Sequence, residues 1–178
     1  MFIGMRNMSE KNLVIDGLEL NYEGLFDLNE LLKALDKYTA ERGYEKAEKR
    51  RQEKVTPSGK EFSIELRPIK IKTEYYSLMI KIRMNITNLR DVEVLKNKTR
   101  TRLNHGSISM IFDAWAISDY MYRWEQKPFY YFLRVLVDKF VYKFHSGKFH
   151  GELVDDTHYI YDNIKAHLNL HRYLESKP

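Results

Sequence analysis

Cysteine is absent from this 178-residue chain, and chain breakers are scarce, with eight glycines and four prolines. The first absence removes disulfides, thiolate nucleophiles and zinc sites of the cysteine type. The second leaves little room for extended disorder or a low-complexity linker. Long apolar runs are missing as well. The richest stretch, Phe129 to Phe144, is interrupted by Arg134, Asp138, Lys139 and Lys143, so it does not read as a membrane span. Met1–Arg6 turns polar too quickly for a signal peptide, which makes a cytoplasmic setting the default expectation. No phosphate-cradling glycine loop, nucleotide fingerprint or Ser-His-Asp grouping occurs. The sequence therefore leans away from an enzyme and implies no cofactor.

Aromatic residues are abundant: 13 Tyr and nine Phe imply a bulky core, with some tyrosines available for an interface. The net charge of +5 is unevenly spread. From Arg67 to Arg102 ten Lys and Arg face only Glu74, Asp91 and Glu93, a local excess of +7. The rest of the chain is slightly acidic by difference, so any polyanion partner is expected to meet this middle region.

Periodicity divides the chain. Leu13, Ile15, Leu18, Leu20 and Tyr22 predict a strand or hairpin over 12–22. Asp27 then caps a helix whose apolar face is Leu28, Leu31, Leu32, Leu35 and Tyr38, ending near Gly43. Glu45 to Lys54 is almost wholly charged and reads as solvated helical turns. Thr56-Pro57-Ser58-Gly59 is the strongest turn signal. Beyond it Phe62, Ile64 and Leu66 alternate, Pro68 interrupts, and Ile69 and Ile71 continue on the other parity, which predicts a bulge or bend at an edge. Tyr76 to Ile86 reads as a strand with one wet face. A third strand follows over 91–103 and a fourth after His105-Gly106. Pro128 opens a long helix with Phe129, Phe132, Leu136, Phe140 and Phe144 on its apolar face, closed by Gly147. A last helix is expected from about Asp156, whose acids suit a helix N-terminus.

The expected fold is α+β, a curved, mainly antiparallel sheet of about five strands packed on a long helix, with an additional C-terminal helix. Residues 1–10 read as a flexible N-terminus and 11–178 as one domain. Within it, 45–60 forms a charged connection and 152–178 a helical C-terminal appendage. This element order, from Leu13 to Phe144, resembles the helix-grip arrangement of START-like lipid and small-ligand carriers. The resemblance rests on topology without a residue motif. It implies a cavity closed by the long helix.

Three functional readings remain open. Lys96, Lys98, Arg100 and Arg102, taken as one extended strand, would project from one face at ~6.6 Å intervals. That spacing suits the phosphates of RNA, DNA or another polyanionic assembly, with Lys81 and Arg83 widening the patch. Lys70, Lys72, Lys49, Arg50 and Arg51 are auxiliary contacts. The alternative role for such a row is protection of a sheet edge by like charge. The second reading is an apolar-ligand pocket formed by Ile80, Ile82, Met84, Met110 and Phe112 against Phe132, Leu136 and Phe140, where ordinary core packing competes. The third is a homo-oligomeric scaffold. His167 and His171 lie at helical spacing, but without the acid of a zinc-protease motif they read as structural, so no metal is implied.

Overall fold

A computed structural model describes residues 11–45, 48–57, 59–73, 76–96, 99–118 and 143–175. The elements are β1 (Lys11–Phe26), α1 (Leu28–Glu41), β2 (Glu48–Thr56), β3 (Gly59–Leu66), β4 (Ile69–Ile71), β5 (Tyr76–Lys96), β6 (Thr99–Ser118) and α2 (Lys143–Glu175). The sheet is antiparallel and runs β1-β6-β5-β3-β2, with β4 also paired to β5. It is curved, not fully closed, and packed against helices, a helix-grip-like topology. Residues 129–142 of the expected 129–144 helix, with Phe132, Leu136 and Phe140, lie outside the described residues, as do residues 1–10.

α1 begins where the sequence places it. The Asp27 carboxylate accepts the amides of Asn29 (2.8 Å) and Glu30 (3.0 Å), satisfying two of the four unpaired donors of a helix start. The Leu28 amide is taken by Asn104 of β6 at 3.1 Å, which ties the helix entrance to the sheet. At the far end Gly43 has φ +77°, the left-handed conformation that glycine adopts without a Cβ penalty. Tyr44 N–H then returns to the Thr39 carbonyl at 3.0 Å.

Leu78, Ile80, Ile82, Met84 and Ile86 of β5 and Ile108, Met110, Phe112, Ala114 and Ala116 of β6 turn to one face. Leu31 and Leu35 of α1, with Leu153, Ile160, Ile164 and Leu168 of α2, pack onto them in one continuous core. Full burial of each such side chain stabilises by roughly 1.5–3 kcal/mol. The α2 stripe is spaced by seven, four and four residues, close to whole helical turns, so a single helix face reaches the sheet from Leu153 to Leu168.

Four expectations need correction. First, residues 48–56 are not helical turns but edge strand β2, paired with β3 from Glu48↔Leu66 to Thr56↔Gly59. The turn at 56–59 directs this charged stretch back along β3, and ladder hydrogen bonds override its weak pattern. Second, no register slip occurs at Pro68. Leu66↔Ile82 and Ile69↔Met79 keep one register, so Ile69 and Ile71 turn to the outer face while Lys70 points inward. Pro68 sits where the β2 ladder has ended and only the Glu45↔Ile69 bridge follows, so its missing N–H breaks no ladder bond.

Third, the expected strand over 91–103 is a hairpin, divided between the end of β5 and the start of β6. Asn88, at φ +56°, and Leu89 oppose Gly106 as a bulge. A Cβ on Gly106 would lie 2.9 Å from the Thr87 carbonyl oxygen, so only glycine fits that approach. Past the bulge, β3 pairing has ended at Leu89 and β1 pairing ends at Asn104. Residues 92–96 and 99–103 therefore pair only with each other, a two-stranded ribbon that overhangs the sheet by about 17 Å at ~3.4 Å per residue. Fourth, Gly147 closes no helix and Asp156 opens none. Both lie inside α2, whose described start is Lys143.

Candidate ligand-binding groove

Among the described strands β1 lies at the end of the sheet, and it has two unlike halves. Its register against β6 shifts between Leu13 and Ile15 and again between Ile15 and Leu18, then runs unbroken from Leu18↔Phe112 to Phe26↔Asn104. The irregular half carries Gly17 at φ +67°, whose amide donates to Asp113 Oδ1 at 3.0 Å. The regular half lies beside the C-terminal part of α2. Between them runs an open groove of about 480 Å³.

Leu20 and Leu168, both buried, form the apolar part of the groove lining. Glu19, Asn21 and Glu23 contribute from the strand, and Tyr161, Lys165 and Asn169 from one face of the helix. The Tyr161 hydroxyl donates to the Glu19 carbonyl at 3.2 Å, and its ring packs edge-on against Phe112 at 5.8 Å. Lys165 Nζ lies 5.9 Å from the Tyr161 ring centroid, close enough for a weak cation–π contact. Two carboxylates and one ammonium leave this rim slightly acidic. The volume falls in the range of small-ligand sites, about 300–1,000 Å³.

None of these groove residues was singled out as a site from the sequence. The available signal was the alternation of Leu18, Leu20 and Tyr22 with Glu19, Asn21 and Glu23, beside helical spacing of Tyr161, Lys165 and Leu168. Nothing in that pattern shows that strand and helix meet. Ile80, Ile82, Met84, Met110 and Phe112, expected to line a pocket, lie together on the buried face of the sheet, each at most 1% exposed, while the Phe132, Leu136 and Phe140 expected opposite them lie outside the described residues.

The basic residues divide into two groups. Lys96 ends β5 opposite Thr99, Lys98 lies outside the described residues, and Arg100 and Arg102 stand on β6. What was expected to be one row is thus divided between two paired strands. Arg102 pairs with Asp91 at 2.6 Å and Arg100 approaches Glu93 at 3.9 Å, all four being exposed. Arg83 is held by the buried Asp113 at 2.7 Å, and Lys81 stands opposite Asp113 in register. In β2, Arg50 and Arg51 are exposed, with Arg51 5.8 Å from the Phe62 ring centroid; the Lys49 side chain is not described.

Lys70 and Lys72 belong to an inner network instead. Lys70 Nζ meets Glu152 at 2.6 Å and Asp156 at 2.9 Å, while Lys72 meets Glu152 at 2.9 Å. Arg42 approaches the other oxygen of Asp156 at 3.7 Å and stacks over Tyr159 at 3.9 Å. Burial alone would lower the Lys70 pKa, but its bonds to Glu152 and Asp156 outweigh this and raise it. Burial likewise works to raise the Glu152 pKa, while the bonds from Lys70 and Lys72 bring it below its ordinary value. Tyr44 is pushed well above the usual phenol range by burial and then by the neighbouring Asp156 charge, although among the described residues its hydroxyl makes no bond of acceptable geometry.

Compared with family models, curated proteins and solved structures, the chain matches none. Among the described residues no cluster of three metal-ligating side chains occurs. No described helix is long and apolar enough to cross a membrane. His167 lies on α2 as expected, and the His171 side chain is not described.

Proposed function

We propose that this protein is a non-enzymatic binding protein whose ligand lies in the groove between β1 and α2. The carrying observation is the groove itself, with buried leucines and a polar rim of both signs. Such a lining favours an amphipathic ligand over a wholly apolar one. The helix-grip-like topology supports the reading, because it sets a long helix against a curved sheet and leaves space at their margin. A fragment screen by NMR on the ¹⁵N-labelled protein tests it. Hits are expected to shift the Leu20, Tyr161, Leu168 and Asn169 resonances, and Asn169→Trp, which fills the groove, is expected to abolish them. Hits that map elsewhere, or no hits, remove this reading.

The ribbon favours a second reading, contact with a polyanion such as RNA or DNA. The ribbon carries Lys96, Lys98, Arg100 and Arg102 against the single acid Glu93, with Lys96 on the face opposite to Arg100 and Arg102, and a two-stranded ribbon has the width to enter a nucleic-acid major groove. The exposed pairs to Asp91 and Glu93 contribute only about 0–1 kcal/mol each, so phosphates can displace them. Binding of a duplex of mixed sequence is expected to weaken steeply with salt. Joint replacement of Lys96, Lys98, Arg100 and Arg102 by Gln is expected to flatten that slope. Unchanged affinity in that variant would exclude the ribbon.

A further inference from the structure

The groove is bounded on one side by β1, which pairs only with β6 among the described residues, and that fact narrows what it holds. An edge strand presents the N–H and C=O of every second residue away from its partner. The bond from Tyr161 to the Glu19 carbonyl shows that Glu19 faces outward. The unbroken register from Leu18 to Phe26 then turns the backbone groups of Asn21 and Glu23 the same way. A ligand in the groove thus meets a ladder of donors and acceptors at strand spacing, with the helix face of Tyr161, Lys165 and Asn169 as the opposite wall.

We infer that the groove accepts an extended peptide segment, added as a further antiparallel strand on β1. The inference rests on the groove being the binding site and names its occupant. Backbone pairing supplies affinity, and pockets for alternate side chains supply selectivity. Glu19 to Glu23 spans about 13 Å at ~3.3 Å per residue, which accommodates about four residues of an added strand. Apolar side chains of such a segment lie over Leu20 and Leu168. The others face Glu19 and Glu23, which selects basic residues, since Lys165 leans against the Tyr161 ring. The incoming strand displaces the Tyr161 hydroxyl from the Glu19 carbonyl and offers it an amide instead. The irregular half of β1 does not continue this ladder. Its shifts at Ile15 and Leu18 break the strand spacing and so limit the added strand to the groove.

The probe is an acetylated, amidated hexapeptide alternating lysine and valine, titrated into the ¹⁵N-labelled full chain. The amides of Asn21 and Glu23 are expected to shift and to exchange with solvent more slowly. A second peptide of the same sequence, N-methylated at alternate residues on its pairing edge, is expected to bind about ten-fold more weakly, because two backbone donors are lost. Glu19→Gln with Glu23→Gln is expected to cost a few-fold in affinity for the lysine peptide at low salt, and nothing for a version with serine in place of lysine. Equal binding of plain and N-methylated peptides at the same resonances overturns strand addition and leaves the groove as a site for another ligand. Failure of both peptides, while fragments still shift Leu20 and Leu168, overturns the peptide inference alone. Failure of peptides and fragments together removes the groove reading with it.

Discussion

Lys70 and Lys72 on one side, and Arg100 and Arg102 on the other, look alike in the sequence: cations alternating along β-prone segments of one basic region. In the fold they have opposite situations. The lysine pair is turned under α2 and held by Glu152 and Asp156, with Asp156 side-chain exposure of 4%. The arginines stand on an overhanging ribbon, at 82% and 74% exposure. What separates them is the element opposite. A helix carrying two carboxylates covers the first pair, and water covers the second. Local positive charge is therefore a poor guide to surface function until the neighbouring layer is known.

The largest effect that tests this contrast is Lys70→Met. It leaves Asp156 buried beside only the more distant Arg42 and is expected to destabilise the fold by about 3 kcal/mol, measured by urea denaturation. Adding Asp156→Leu is expected to recover much of the loss, because the unpaired buried charge goes with it. A Lys70→Met cost below that of an ordinary surface substitution would break the contrast.

pH gives the second test. The Glu152 pKa is lowered in the folded state, so its stabilisation is fully present above the unfolded carboxylate value and disappears as pH falls through the folded one. Lys70 is raised, so its share is fully present below its ordinary value and is lost as pH climbs through the folded one. The melting temperature is expected to hold through the neutral range and to drop at acid pH below the ordinary carboxylate value. Glu152→Gln is expected to start lower at neutral pH and to show a shallower acid drop. An identical acid profile in that variant would assign the drop to other groups.

Hydrogen exchange gives the third. Amides of residues 92–96 and 99–103 are expected to exchange at least about a hundred-fold faster than those of Leu78–Ile86, because a two-stranded ribbon has marginal stability of its own. Last and smallest, Arg100→Gln and Arg102→Gln are each expected to change stability by less than about 0.5 kcal/mol. A cost near that of Lys70→Met would mean that the arm is packed like the body.

The elements with one buried and one wet face were legible in the sequence. Asp27 with Leu28, Leu31 and Leu35 fixed α1, and the alternation from Leu78 to Ile86 marked β5. The failures share a cause, which is that the deciding partner is distant in sequence. β2 lacks apolar alternation because an edge strand is held by ladder bonds to β3 rather than by burial. Between Asp91 and Leu103 the sequence holds no glycine or proline of the kind that marks the commonest hairpins, so the alternation there passed for one strand. Lys70 turned inward because Glu152 and Asp156, more than eighty residues later, meet it there. The groove was hidden for the same reason. Glu19 and Tyr161 are 142 positions apart.

The bulge at Asn88 and Leu89, closed over Gly106, has a consequence for how this protein can change over generations. It divides the β5–β6 hairpin into a root woven into the sheet and a tip that answers only to itself. Adding or deleting two residues on each strand of the tip moves no side chain to the wrong face, since strands repeat every second residue. The length and charge of the arm are thus free to drift or to be selected at little cost to the core, whereas a Cβ at position 106 would disturb the junction itself.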